Sequence, residues 1–159
     1  MSKITRKLFT ASQFTATQWN TSEDKANFAN HFVRFLESDC NPNVFTKGFY
    51  NRLSMCFSHI AHFNRGGFFD TWFSSSKQKA LFLVHCLNNG GYGDPSFTYS
   101  DVEKALKPWI ISSGLVEKFR VQAEDELQKK EIHELNRLQE KYGKDYQFFL
   151  PELKKGTTK

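Results

Sequence analysis

The stretch DKANFANHFVRFLES, residues 24–38, decides the fold class. Phe28, Phe32, Phe35 and Leu36 recur at steps of three and four, while Asn27, Asn30, Arg34 and Glu37 fall on other faces. That is the pattern of an amphipathic helix with one apolar stripe. Its start is signalled as well: Thr21 stands three residues before Asp24, and Glu23 with Asp24 places negative charge in the first turn. Downstream, Pro42 in SDCNPN cannot continue the backbone ladder and pushes Asn41 toward an extended conformation.

Working outward, Phe45, Phe49, Leu53, Cys56, Ile60 and Phe63 predict a second helix over residues 44–63, ended by Gly66 or Gly67 in the left-handed conformation. FFDTWF, residues 68–73, is too short for periodicity to separate strand from helix. The serines at 74–76 cap whatever follows and no partner strand is evident, which favours a helical turn. A third helix is expected over residues 77–88, with Ser75 and Gln78 as a capping box and Ala80, Leu81, Val84 and Leu87 inward. The loop GGYGDPSFTYS then carries Tyr92, Phe97 and Tyr99, which are expected to fold back onto the body. Ser100 and Glu103 read as the capping box of a fourth helix facing inward through Val102, Ala105, Leu106, Trp109 and Ile110, with Pro108 kinking or ending it. After Ser112-Ser113-Gly114 a long helix over residues 115–142 has a narrow apolar seam of Val116, Ala123, Leu127, Leu135, Leu138 and Tyr142, with ion pairs such as Glu126 to Lys130 and Glu134 to Arg137 at helical spacing.

The fold class is therefore mainly α: a compact Phe-rich helical domain over residues 21–150 with a long charged C-terminal helix. Residues 1–20 read as a flexible or loosely packed basic arm, and residues 151–159 as a disordered basic tail. The 159 residues suit one such domain, and 10 of the 17 Phe lie between Phe28 and Phe73, where they supply the largest block of core. No segment has the roughly 18–20 consecutive apolar residues of a membrane span, and no secretory leader is recognisable, so a cytoplasmic protein is expected. Three widely separated cysteines, Cys40, Cys56 and Cys86, form neither a disulfide framework nor a CxxC pair and read as free core thiols.

The net charge is +5, with +3 over residues 1–70 and +1 over each of residues 71–114 and 115–159. The last region is the most densely charged yet nearly balanced, as in a solvated helix laced with opposite charges.

Candidate chemistry is sparse. Cys56, His59 and His62, with His31 and His85 from elsewhere, are suitable zinc donors, but on one helix Cys56 and His62 lie about 120° apart and cannot easily reach one ion. His59 is placed at the border of the core. No nucleophile elbow, phosphate loop or paired carboxylate occurs, and RGGF at residues 65–68 is a single copy of an RNA-binding-like sequence. Whether distant residues assemble an enzyme site stays open, and no cofactor, metal or catalytic residue is assigned. The expectation is a small non-catalytic macromolecular binding or inhibitory adaptor. It would act through Arg120, Lys129, Lys130, Arg137 and Lys141 of the long helix and the aromatic segment containing Tyr146, Phe148 and Phe149, on a protein partner or a second copy. The alternative is a basic nucleic-acid-binding accessory protein using Lys3, Arg6, Lys7, Lys47, Arg52 and Arg65, with Lys77 and Lys79, and with Tyr92 or Tyr99 stacking on an unpaired base. A metal-dependent enzyme using His and Cys residues is a third reading.

Overall fold

The computed structural model describes the backbone of residues 8–59 and 64–157, with side chains through Gly143. The chain is mainly α-helical, and no strand occurs among the described residues. It divides into two units, Met1–Arg120 and Val121–Lys159.

The first unit is built on α1, Ser22–Glu37, which starts where the sequence places it: the Thr21 hydroxyl accepts from the Asp24 N–H and the Asp24 carboxylate accepts from the Thr21 N–H. Its buried face holds Phe28, Phe32, Phe35 and Leu36, and also Lys25. A short 3₁₀ turn at Pro42–Val44 leads to α2, Lys47–Leu53, followed by α3, Arg65–Phe73, and α4, Ser76–Asn88. Then α5, Ser100–Ser113, ends at Gly114, whose φ of 72° is left-handed, and α6, Leu115–Thr157, begins. Rings from four segments make the core. Phe35 packs edge-on to Phe73, Phe45 packs against Phe49, Phe69 and Phe73, and Phe32 meets Phe57, Phe82 and Trp109. Leu115 and Phe119, in the first turns of α6, are also buried.

Upstream of α1 the chain is docked from Leu8 onward, not loose. The Leu8 and Phe9 N–H groups donate to Asn30 Oδ1, the Asn30 amide returns a bond to the Phe9 carbonyl, and Phe9 and Phe14 are buried. Lys3, Arg6 and Lys7 lie outside the described residues.

Several expectations are corrected. The second helix stops at Leu53 instead of running on: Phe57 and Ser58 take left-handed φ of 55° and 64°. Both backbone groups of Phe57 are captured from afar, its N–H by Glu103 Oε2 at 2.7 Å and its carbonyl by His85 Nε2 at 2.8 Å. Ile60, His62 and Phe63 lie outside the described residues. Gly66 and Gly67 begin a helix instead of ending one, because Asn64 Oδ1 accepts from the Gly67 N–H as N-cap of α3. α3 includes FFDTWF, so its helical reading stands.

In α4 the inward face is Phe82, Leu83 and Cys86, while Leu81 and Val84 are exposed. The Phe82 ring stacks on His59 and meets Phe73 edge-on, so the bulkier ring takes the interior position. Its N-cap is Ser75, as expected. α5 is not capped by Ser100 and Glu103, since the Ser100 hydroxyl turns to the Gly93 carbonyl and Glu103 is buried elsewhere. Nor does Pro108 end α5. Burial of Val102 and Leu106 before it and Ile110 after it holds the helix through a residue that disfavours a helix interior by about 3 kcal/mol.

In the second unit α6 runs to Thr157, into the stretch expected as a disordered tail, with its helical backbone broken at Gly143. From Val121 to Gly143 the side chains are exposed except for a few half-buried ones, Leu138 among them. Intrahelical ion pairs join Glu117 to Arg120, Asp125 to Lys129 and Glu134 to Arg137. No described helix is long and apolar enough to cross a membrane.

Candidate functional site

The site of the first unit starts from two buried charges. Lys25 lies on the same face of α1 as Phe28 and Phe32 and is 0% exposed. Its ammonium donates to the Pro95 carbonyl at 2.7 Å, the Thr98 carbonyl at 2.9 Å and Asp101 Oδ1 at 3.0 Å. All three of its protons are therefore used. Glu103 ties the other side. Oε2 takes the Phe57 N–H and Oε1 takes the Gly91 N–H, both at 2.7 Å. Left-handed φ at Gly90 (84°), Gly91 (83°) and Gly93 (101°) turns the chain between these anchors, and a Cβ at Gly90 would come within 3.0 Å of both Glu103 and Phe57. The loop between α4 and α5 is thus fastened from beneath at both ends.

This loop, the turn after α2 and the segment before α1 enclose a half-open pocket of about 620 Å³. Its floor includes Arg52, Tyr99, Cys56 and Glu103. Its rim carries large apolar side chains that face solvent: Trp19 at 68%, Met55 at 69%, Tyr92 at 77% and Phe97 at 65% exposure. Four such groups stand around one cavity on a backbone held by buried charge, a concentration of exposed apolar surface that makes this the candidate site. Tyr99 alone of the loop aromatics folds inward as expected; Tyr92 and Phe97 do not. The Arg52 guanidinium lies over the Tyr99 ring at 4.3 Å, and its Nη2 donates to Asn20 Oδ1 at 2.8 Å. Burial pushes the Tyr99 phenol above its ordinary range.

Both Glu103 oxygens are occupied by backbone donors, and burial pushes the Cys56 thiol up, which keeps it protonated. Cys86 is likewise raised by burial, and Cys40 is pushed up to about 12.

Among the described residues, the metal donors considered from sequence do not gather. His59 is buried instead of lying at the border, and its ring stacks on His85 at 4.4 Å with 25° between planes. Lone pairs lie in the ring planes, so two stacked imidazoles do not converge on one ion. His31 Nε2 is bonded to the Val44 carbonyl, and no group of three metal-binding side chains occurs among the described residues. His59 Nε2 finds no partner, and burial, with His85 beside it, lowers its pKa to about 3.

The described basic residues considered for nucleic acid lie in separate places. Arg52 lines the aromatic pocket, whereas Lys47 and Arg65 line a shallower depression with Asp70. Lys79 pairs with Asp39. On α6, Arg120, Lys129 and Arg137 are engaged in the ion pairs above, Lys141 lies over the Tyr142 ring, and Lys130 is exposed. The side chains of Tyr146, Phe148 and Phe149 lie outside the described residues.

The chain matches no protein-family model, no curated protein and no solved structure. The reading of the site rests on its own geometry. Trp19, Met55 and Phe97, and the anchors Lys25 and Glu103, were not legible as a site because they come from separate segments. One signal was present: Lys25 stands three residues before Phe28 and seven before Phe32, a cation on an otherwise apolar stripe.

Proposed function

We propose that this protein is a non-catalytic macromolecular binding protein whose α6 pairs with the same helix of a second copy, making a bivalent adaptor. The observation that carries the reading is the exposure of Val121, Leu127, Ile132, Leu135 and Tyr142 along one helix. At 100° per residue Leu127, Leu135, Leu138 and Tyr142 fall within an arc of about 80°, with Val121 and Ile132 on its flank. A helix that buries so little of such a stripe lacks the tertiary packing from which most helical stability comes.

A second copy supplies a matching stripe. Two-fold symmetry would present Leu127, Leu135, Leu138 and Tyr142 of each chain to the same residues of the other. Support for binding over catalysis comes from the pocket, whose carboxylate accepts a backbone N–H on each oxygen and whose thiol is kept protonated by burial.

Sedimentation velocity between 1 and 100 μM tests the reading. Wild type is expected to sediment as a dimer, and Leu135→Asp with Leu138→Asp as a helical monomer. A wild-type monomer at 100 μM overturns it, as does a dimer that both substitutions leave intact.

A further inference from the structure

The pocket holds a cation that the fold does not use up. Arg52 gives one hydrogen bond to Asn20, and among the described residues no carboxylate pairs with it. A guanidinium has five N–H donors in a planar fork. Here the fork lies over the Tyr99 ring and is steadied by Asn20, which prearranges it for a tetrahedral or planar anion. Around it stand aromatic faces held open to solvent, and the Tyr92 and Phe97 faces ride on a loop whose backbone is fixed by Lys25 and Glu103. Ordering costs are thereby met before any ligand arrives.

Further positive charge lies beside Gly90, Gly91 and Tyr92. Lys107 Nζ donates to the Gly90 carbonyl at 3.0 Å and sits 5.8 Å from the Tyr92 ring centre, and the Lys104 side chain runs beside Gly91. The nearby carboxylates are committed: Asp101 to Lys25, Glu103 to two backbone N–H groups, Asp24 to the cap of α1, and Asp94, on the same loop, to the Ser96 N–H and hydroxyl. A neutral, wholly apolar ligand would desolvate Arg52 with nothing to match its charge. An acidic peptide would meet Arg52 but make little use of three ring faces. A flat heteroaromatic ring joined to an anion uses both, and a cavity of about 620 Å³ is within the usual range for a ligand of that size.

We propose that this pocket binds a nucleoside phosphate unit, its base stacked among Trp19, Tyr92 and Phe97 and its phosphate on the Arg52 guanidinium. The unit comes either from a free nucleotide or from single-stranded nucleic acid, where Lys104 and Lys107 would meet neighbouring phosphates. The inference rests on the first unit alone and is indifferent to pairing through α6.

The test uses the full chain, with AMP in one arm, followed by Trp fluorescence, and a fluorescein-labelled (dA)12 strand in the other, followed by anisotropy across a salt series. Saturable AMP binding identifies a nucleotide pocket, and binding of (dA)12 alone identifies a strand-binding one; either supports the proposal. Tyr92→Ala and Phe97→Ala, both at exposed positions, are each expected to weaken binding about 5- to 150-fold, the equivalent of about 1–3 kcal/mol of stacking per base. Arg52→Met is expected to reduce the salt slope for the strand by about 0.7. The proposal is overturned if AMP at 1 mM and the strand at 50 mM salt both fail to bind. It is equally overturned if the aromatic variants, with unchanged thermal melts, bind like wild type, or if hexaglutamate competes as well as the strand.

Discussion

Replacing Lys25 with Met keeps the length and apolar stem of the side chain and removes only the ammonium. Three acceptors then lose their donor: the Pro95 and Thr98 carbonyls and Asp101 Oδ1. A buried ion pair broken by removing one partner costs about 3–5 kcal/mol, and each buried acceptor left unpaired about 1–3 kcal/mol. Two features put the expected loss near the lower figure, about 3 kcal/mol. Asp101 is 17% exposed, and it keeps the N–H groups of Val102 and Thr15. Urea unfolding followed by far-UV circular dichroism measures this as a lower midpoint at constant m-value. Because Asp101→Asn alone leaves the ammonium buried without its counter-charge, the double variant should be less destabilised than the sum of the two singles, by at least about 0.5 kcal/mol. A loss below about 1 kcal/mol for Lys25→Met would refute the reasoning. It would mean that the loop is not held by this cation.

Phe32, which is fully buried among Phe28, Phe57, Phe82 and Trp109, should lose about 3–5 kcal/mol on truncation to Ala, as should Phe49, because transfer and cavity costs add. Losses under about 0.5 kcal/mol at both in the same unfolding assay would contradict the central packing. Acid should destabilise through His59. Its folded pKa of about 3 lies below the ordinary 6.5, so the unfolded chain binds the extra proton, and stability falls as pH drops from about 6.5 toward 3. The slope contributed is at most about 1.4 kcal/mol per pH unit. His59→Phe, which fits among Phe57, Phe68, Trp72 and Phe82, should flatten the dependence in denaturant titrations repeated between pH 4 and 7.

What the sequence made legible is local. α1 announced itself by spacing and by the reciprocal Thr21 and Asp24 cap, α4 by Ser75, and the break before α6 by Gly114, since each signal lies within a few residues of the structure it sets. The run after Leu53 misled for the opposite reason. Apolar spacing through Cys56 continues a helical stripe, and what stops the helix is Glu103 and His85, 46 and 28 residues from Phe57. Leu81 and Val84 were misplaced because an amphipathic pattern with apolar residues at 80–84 admits more than one face, and the choice depends on which ring fills the space beside Phe32 and Phe73. Glu103 looked like a cap three residues after Ser100. Its burial against Gly91 and Phe57 is a tertiary fact that converts a routine motif into a wall of the pocket.

Amide hydrogen exchange of the free protein tests most directly the claim that the pocket is built in advance by buried charge. The Gly91 and Phe57 N–H groups, held by Glu103, should exchange about as slowly as amides in the middle of α1, and Glu103→Gln should speed both together. Exchange of Gly91 and Phe57 at the rate of an open loop, in a protein whose α1 amides remain protected, would contradict the account.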